Sequence, residues 1–306
     1  MSLPVDLDDL LQKTSRTFAL AIPLLPEPAR TEVGVAYLLF RVADTFEDGT
    51  RWPREKRIAA LEQFVEVVEQ DGEGAAALVK LCAESPPIDH AGYLELLSQL
   101  PQLLDALAKL NPTSREIITR HTIRTAEGMA NVVSRADEAG NLRLATRQDL
   151  KDYCYVVAGI VGELLTEVFV AGTASLAAQN KTLRERMIAF GEGLQLVNIL
   201  KDADSDATEG RVYLPSSLSR PDTFAMARDD LSRGDEYVRA LQQGGAPRGY
   251  LAFTGLSLVL AWRALSVLEA QGAGKKVSRD DVASLFDSLN RALDAGTALD
   301  CRALAS

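Results

Sequence analysis

The placement of proline is the feature that most constrains the fold of this chain. Eight prolines fall between residues 23 and 112, and none then occurs until Pro215. Proline breaks helices, so this proline-free stretch, which is rich in Ala, Leu, Glu and Arg, suits long helices. Apolar residues recur in it at spacings of three and four, as at Leu150, Tyr153, Val157, Ile160 and Leu164. The pattern predicts an all-α fold in a single domain over residues 1–306, with loops near 22–28, 49–55, 71–75, 84–90, 134–147 and 207–222.

Composition narrows the class of protein. The 306 residues are 47% hydrophobic and 25% charged, which is enough for a sizeable core. The net charge of −10 disfavours nucleic-acid binding, because phosphate backbones need a basic surface. Three widely spaced cysteines provide neither a disulfide framework nor a zinc site, which favours a cytoplasmic, reducing location. No apolar run reaches 18 residues without interruption, so no membrane-spanning helix is expected.

One segment, YLLFRVADTFED at residues 37–48, is apolar almost throughout yet carries an arginine and three acids. Four of its residues are spaced four, three and four positions apart, so on a helix they lie on one face, within an arc of about 60°. These are Tyr37, Arg41, Asp44 and Asp48. The apolar flanks leave little of such a helix for water, and buried charges need partners of opposite sign. This first acidic stripe therefore points to a bound cation.

A second segment, residues 193–215, repeats the pattern. Four polar residues among apolar neighbours are spaced three, four and four positions apart: Gln195, Asn198, Asp202 and Asp206. Hard divalent cations take oxygen ligands, and Mg²⁺ typically combines a few carboxylates with substrate phosphate. Two such stripes facing each other across a helical cavity would hold Mg²⁺ and a diphosphate.

Other metal and cofactor motifs do not fit. An EF-hand reading of DADSD requires glycine and glutamate where Ala207 and Tyr213 stand. A di-iron bundle requires Glu three residues before each His, and neither His90 nor His121 has it. The two histidines are instead expected at the surface or at helix caps. There is no G-x-G-x-x-G and no P-loop.

Four segments resemble the squalene and phytoene synthases, which join two prenyl diphosphates head to head. They are TSRTFA at 14–19, YLLFRVADTFED at 37–48, YCYVVAGIVGELLTEVF at 153–169 and LQLVNILKDADSDATEGRVYLP at 194–215. The resemblance implies an all-α isoprenoid-synthase fold, a single helical domain around a central cavity. In that fold two acidic motifs on opposing helices hold Mg²⁺.

The resemblance also implies a role for each matching residue. The metal ligands would be Asp44, Asp48, Asn198, Asp202 and Asp206. The diphosphate would be bound by Ser15, Arg16, Thr17, Phe18, Tyr37, Arg41, Gln195, Asn198, Arg211 and Tyr213. The catalytic residues would be Tyr153, Arg41 and Asp48, although Tyr153 as a plain hydrogen-bonding residue is an equal alternative. Gly159 and Gly162 are expected to permit close helix packing.

Details of the motifs resemble the squalene-synthase branch, notably DTFED and Gly128-Met129-Ala130. The implied reaction is condensation of two farnesyl diphosphates through presqualene diphosphate, followed by NADPH reduction to squalene. Lys276 and Arg279 lie about where squalene-type enzymes place basic residues for the NADPH phosphate. The alternative is a solvated loop before a helix that begins near Arg279. Ser205 departs from the family, because the second motif usually has glutamate there.

Three other readings stay open. Without the reductive step, the product would be dehydrosqualene, or phytoene from C20 substrates. A chain-elongating prenyl transferase or a terpene cyclase could use the same fold. The first motif of those enzymes, however, resembles D-D-x-x-D, whereas this chain has D-T-F-E-D. A non-catalytic helical binding protein is disfavoured by the intact acids. Peripheral membrane contact for release of an apolar product is a further expectation, and the oligomeric state is left open.

Overall fold

The computed structural model describes residues 6–15 and 17–306 and confirms the all-α prediction. The α-helices are α1 (Leu7–Thr14), α2 (Phe18–Ala21), α3 (Ala29–Glu47), α4 (Arg54–Glu69), α5 (Ala75–Glu84), α6 (Ala91–Ser98), α7 (Leu100–Ala108), α8 (Pro112–Ser134), α9 (Arg147–Cys154), α10 (Ile160–Gly172), α11 (Asn180–Thr208), α12 (Arg220–Gln243), α13 (Arg248–Gln271), α14 (Arg279–Asp294) and α15 (Cys301–Leu304). A π-helical segment, Tyr155–Gly159, joins α9 to α10, and two 3-10 segments cover Ile22–Leu24 and Ala174–Gln179. In the described part of the chain the β-structure is one pair of short strands, β1 (Leu142–Arg143) and β2 (Arg211–Val212).

Local capping signals explain where several helices begin. Asn111 caps α8 by accepting a hydrogen bond from the Ser114 N–H, and Pro112 follows at the first helical position. Thr146 and Asp149 form a reciprocal capping box at the start of α9. The proline-free stretch holds all but the first residue of α8, with 23 residues, and the whole of α11, with 29. The helix content inferred from proline placement is therefore confirmed.

The chain divides into two compact units, and each is described by itself. The first comprises Glu27–Leu142 with the described part of Met1–Pro23, and the second comprises Leu24–Pro26 and Arg143–Ser306. The single domain over residues 1–306 stays a prediction.

In the first unit, α8 packs against α3 and α4. The carboxylate of Glu32, on α3, is only 3% exposed and lies at the start of α8. It accepts hydrogen bonds from Asn111 Nδ2 at 2.7 Å and from Ser114 Oγ at 2.6 Å. These bonds compensate the burial of the charge, and the N-terminus of a helix is a favourable place for an anion. They fix the orientation of α3, which carries the first acidic stripe.

In the second unit, α11 packs against α10, α12 and α13. Glycines allow the closest of these approaches. A Cβ on Gly162 would lie 1.9 Å from the carbonyl oxygen of Met187, and one on Gly191 would lie 1.9 Å from that of Ala158. A Cβ on Gly159 would lie 3.2 Å from Ile188 Cγ2. The expectation of close packing at Gly159 and Gly162 is confirmed.

Two sequence expectations need correction. His121 is 1% exposed within α8, so it is neither a surface nor a capping residue, whereas His90 does cap α6. Two helical stretches, Arg147–Gly172 and Arg248–Gln271, are apolar and long enough to cross a membrane, although no such segment was expected. Their most apolar windows are 50% and 78% buried inside the structure, and core helices pass the same test, so the indication is weak. The three cysteines are buried and form no disulfide, as expected.

Candidate active site

The first acidic stripe is the open face of a helix that is otherwise buried. Between residues 32 and 49 every residue is buried except Tyr37, Arg41, Asp44 and Asp48, which are half-buried. The shared face predicted from their spacing is therefore confirmed. Asp48 is the C-cap of α3, one residue beyond the helix rather than inside it, and its N–H donates to the Asp44 carbonyl at 2.8 Å.

Arg41 is held by its neighbours on this stripe. Its Nη1 lies 3.0 Å from Asp44 Oδ2, and its Nη2 donates to the Tyr37 hydroxyl at 3.2 Å. The Tyr37 hydroxyl in turn lies 3.3 Å from the Thr14 carbonyl, to which it donates. Arg41 Nε is buried and has no hydrogen-bond partner in the described part of the chain. One of the guanidinium nitrogens thus retains its donor capacity.

The charge state of Asp44 reflects its surroundings. Burial raises the pKa of its carboxyl to about 6, with the Arg41 guanidinium working in the opposite direction and the Asp48 carboxylate adding to the rise. Two carboxylates close together in a half-buried site disfavour full ionisation, and a divalent cation would relieve this.

The N-terminal segment reaches the same stripe. Phe18, in α2, packs against the Tyr37 ring with centroids 5.2 Å apart. The Ser15 hydroxyl accepts a hydrogen bond from the Phe18 N–H at 2.9 Å, and Thr17 is exposed at the start of α2. Arg16, also predicted to bind diphosphate, lies outside the described residues. Phe18 and Tyr37, which the resemblance assigns to the same diphosphate site, are therefore in contact, and their role in binding stays a prediction.

The second acidic stripe lies on α11. Gln195, Asp202 and Asp206 are half-buried, and Asn198 is exposed. The ammonium of Lys201 lies 3.0 Å from Asn198 Oδ1 and 3.2 Å from Asp202 Oδ2. A positive charge therefore already sits between two of the predicted ligands. The Ser205 hydroxyl donates to the Asp202 carbonyl at 2.8 Å, three residues earlier in the same helix.

The segment after the second stripe returns to it. Arg211 Nη2 lies 3.5 Å from Asp206 Oδ1 and 2.6 Å from Glu209 Oε2. Tyr213 stacks on Tyr153, with ring centroids 4.4 Å apart and an interplanar angle of 19°. The structure thus joins Tyr153 and Tyr213, which the sequence presented in separate motifs.

These side chains fit the predicted metal. Each stripe offers oxygen ligands, the type that Mg²⁺ prefers, and in the second stripe two of these oxygens already contact the Lys201 ammonium. Within residues 6–15 and 17–306, no three His, Cys, Asp or Glu side chains form a cluster that could hold a metal by themselves. That the two stripes face each other stays a prediction.

Comparison with known proteins identifies the family. The family model described as squalene/phytoene synthase matches residues 11–282. The chain belongs to the squalene/phytoene synthase family.

Individual relatives agree with this. Over 210 residues the chain is 32% identical to a squalene synthase of Gibberella zeae, covering 68% of this chain and 42% of the relative. Over 219 residues it is 32% identical to a squalene synthase of Candida albicans, covering 69% of this chain and 45% of the relative. The chain therefore spans less than half the length of these curated relatives.

Solved structures share the fold of this squalene/phytoene synthase family member. A ligand complex of TcSQS has a TM-score of 0.74 at 22% identity, covering 98% of this chain and 94% of that one. The squalene synthase HpnC from Alicyclobacillus acidocaldarius has a TM-score of 0.56 at 19% identity, covering 88% and 97%. A dehydrosqualene synthase in complex with a ligand has a TM-score of 0.55 at 17% identity, covering 94% and 95%. The likeness supports the predicted isoprenoid-synthase fold.

The residues predicted to bind NADPH lie in a loop and at the start of the helix that follows it. Lys276 is exposed in the loop 272–278, and Arg279 is the exposed first residue of α14. The helix expected to begin near Arg279 is confirmed. The loop contacts α11, since the Gly274 N–H donates to the Lys201 carbonyl at 2.8 Å. This hydrogen bond joins the loop to α11 at the residue directly before Asp202.

Sequence reasoning missed Tyr93, on α6. The Arg41 guanidinium carbon lies 5.4 Å from the centroid of its ring. Tyr93 follows the first stripe by 45 residues and belongs to none of the quoted motifs. No local pattern could have revealed it.

Two acids with raised pKa values were also missed, Asp230, which is buried, and Glu192, which is half-buried. Burial raises the pKa of Glu192 to about 7 and that of Asp230 to about 6, and the Asp230 charge contributes to the rise at Glu192. Glu192 stands one turn before Gln195 on α11, between two glycines, and an acid in that apolar setting was a signal that could have been used.

Proposed function

We propose that this protein catalyses the Mg²⁺-dependent head-to-head condensation of two farnesyl diphosphates, through presqualene diphosphate, to squalene with NADPH as reductant. The observation that carries the proposal is the open face of α3, where an arginine and two aspartates interrupt an otherwise buried helix. Membership of the squalene/phytoene synthase family supports the same reaction class.

The first stripe supplies charge at a partly dry surface. Asp44 and Asp48 would hold Mg²⁺, and Arg41 would face the diphosphate with a guanidinium already fixed by Asp44 and Tyr37. Fixed donors stabilise developing negative charge without reorganising during the reaction. Bound Mg²⁺ would neutralise the charge that grows on the departing diphosphate.

The second stripe would hold Mg²⁺ through Asn198, Asp202 and Asp206. The Lys201 ammonium pairs with the Asp202 carboxylate and donates a hydrogen bond to the Asn198 amide oxygen, and Arg211 lies beside Asp206. Both cations carry hydrogen-bond donors for diphosphate oxygens. Gln195, one turn earlier and half-buried, would add an amide to the same surface.

The allylic cation left by diphosphate departure must be kept from water. Tyr153 and Tyr213 are 5% and 6% exposed, so their stacked rings offer a dry aromatic surface. Aromatic faces attract cations, which suits such an intermediate. The Tyr153 hydroxyl would hold or accept a proton at this surface.

The reductive step would depend on Lys276 and Arg279. Both are exposed and positive, and the Gly274–Lys201 hydrogen bond ties their loop to α11. Their side chains would bind the NADPH phosphate, and the nicotinamide would supply hydride to the second half-reaction.

We place the enzyme in the cytoplasm with peripheral membrane contact for release of the apolar product. The net charge of −10 disfavours nucleic acid as a partner.

The test is product analysis. Purified protein is incubated with farnesyl diphosphate and Mg²⁺, with and without NADPH, and the extract is analysed by mass spectrometry. Squalene that forms only with NADPH supports the proposal. Dehydrosqualene in both arms, or phytoene when C20 substrate is supplied, supports the non-reductive alternative. Geranylgeranyl diphosphate or a cyclic terpene supports chain elongation or cyclisation, and absence of any turnover refutes an enzymatic role.

A further inference from the structure

We propose that Tyr93 is a positioning residue for Arg41, and that its ring sets the affinity of the first acidic stripe for diphosphate. The inference rests on the proposed function in one respect, the presence of a diphosphate at this stripe. It concerns a residue on α6, a helix that carries none of the family motifs described above.

The Arg41 side chain lies over two tyrosine rings. Its guanidinium carbon is 5.6 Å from the centroid of Tyr37 and 5.4 Å from that of Tyr93. Both distances are within the range at which a guanidinium is attracted to an aromatic face. Tyr37 is on α3 itself, four residues before Arg41, whereas Tyr93 approaches from another helix. Tyr93 is therefore the contact that makes the orientation of Arg41 depend on tertiary structure.

The charges of the stripe act on Tyr93 as well. Burial raises the pKa of its hydroxyl, the Arg41 guanidinium opposes the rise, and the charges of Asp44 and Asp48 add to it. Tyr93 thus lies within electrostatic range of both predicted metal ligands. Its half-buried ring lies against Arg41, one of the four residues of the open face of α3.

The backbone of α6 is held in place at Gly92, the residue before Tyr93. A Cβ on Gly92 would lie 2.6 Å from the Lys13 carbonyl oxygen, so α6 abuts the last turn of α1 and glycine is required there. Lys13 Nζ also pairs with Glu95 Oε1 at 2.8 Å. The carbonyl oxygen of the next residue of α1, Thr14, accepts a hydrogen bond from the Tyr37 hydroxyl. The three helices α1, α3 and α6 therefore meet around Arg41.

This arrangement has a consequence for binding. A free arginine side chain loses rotamer freedom when it binds an anion, and a side chain already held in place loses less. Removing the Tyr93 ring would leave Arg41 held only by Asp44 and Tyr37 of its own helix, so that more rotamers become accessible to it. We expect affinity for diphosphate to fall between about 3-fold and 30-fold, the range given by a partly desolvated cation–π contact.

The experiment is calorimetric titration of the full chain with inorganic pyrophosphate in the presence of Mg²⁺. Wild type, Tyr93→Leu and Tyr93→Phe are compared, with Tyr93→Met as a second ring-free variant should Tyr93→Leu fail to fold. We expect Tyr93→Leu to lose 3-fold to 30-fold in affinity and Tyr93→Phe to retain most of it, because phenylalanine keeps the ring. Equal affinity in wild type and Tyr93→Leu overturns the inference alone. Absence of binding by wild type overturns the proposed function as well.

A double-mutant cycle separates positioning from general damage to the fold. Tyr93→Leu is introduced into an Arg41→Gln background and pyrophosphate affinity is measured again. If Tyr93 acts through Arg41, the double variant binds no more weakly than Arg41→Gln. If Tyr93→Leu lowers pyrophosphate affinity as much in the Arg41→Gln background as in the wild-type background, Tyr93 acts independently of the arginine and the inference is overturned.

Discussion

Replacement of Gly162 by alanine tests the close helix approach that positions the second stripe. The new Cβ would lie 1.9 Å from the Met187 carbonyl oxygen, where real Cβ contacts are essentially never below 3.0 Å. Helices α10 and α11 would have to separate by about 1.1 Å or more at this point, and overpacking of this kind costs about 1–3 kcal/mol, occasionally more. The carbonyl belongs to the backbone of α11 and cannot rotate away, so the upper end of that range applies.

The loss is partly offset by helix propensity. Alanine is favoured over glycine by about 1 kcal/mol in a helix interior. The net expectation for Gly162→Ala is therefore a loss of about 2 kcal/mol or more in the free energy of unfolding. Gly34→Ala, in α3, is the matched control, because its Cβ would lie 3.7 Å from Leu7 Cδ1, an ordinary van der Waals contact. That variant should gain up to about 1 kcal/mol.

The assay uses the two tryptophans of the chain. Trp262 lies in the second unit and is 4% exposed, and Trp52 lies in the first. In a Trp52→Phe background, urea unfolding followed by Trp262 fluorescence reports on Gly162→Ala in the second unit, and circular dichroism of the whole chain compares both variants, including Gly34→Ala in the first unit. The reasoning is refuted if Gly162→Ala matches or exceeds its parent in stability, or if Gly34→Ala loses as much as Gly162→Ala.

Further predictions concern the stripes and the two acids with raised pKa values, Glu192 and Asp230. Asp48→Asn and Asp202→Asn should each abolish turnover in the product assay while circular dichroism stays unchanged; Asp204→Asn, an exposed acid on the same helix, should remain active, and near-normal rates in either stripe variant would contradict the metal assignment. Tyr153→Phe should lower kcat more than it weakens substrate binding, and unchanged kinetics would leave Tyr153 with only a packing role. Because the pKa values of Glu192 and Asp230 are raised to about 7 and about 6, the folded state holds protons that the unfolded state releases, so their contribution to stability is lost as pH rises through this window. Asp230→Asn should therefore flatten the decline in urea midpoint between pH 4.5 and pH 8, and an undiminished decline would exclude this acid as its source.

The sequence was sufficient wherever the physics is local. Helix α8 begins at Asn111 and Pro112 because a side-chain cap and a fixed φ angle act within a few residues. Tyr37, Arg41, Asp44 and Asp48 share one face because the helical repeat fixes their directions. The sequence alone therefore placed these four side chains on one face, although Asp48 follows the last residue of α3 rather than lying inside it, and the metal assignment stays a prediction.

Tertiary structure decided the contacts between distant segments. Tyr93 reaches Arg41 only because glycine at position 92 lets α6 abut α1, and Tyr153 meets Tyr213 across 60 residues of chain. The burial that raises the pKa values of Asp44, Glu192 and Asp230 likewise depends on which helices cover them. Helix periodicity relates residues three and four apart and carries no information about which side chain of another helix will lie opposite, since that is settled by the packing of the whole core.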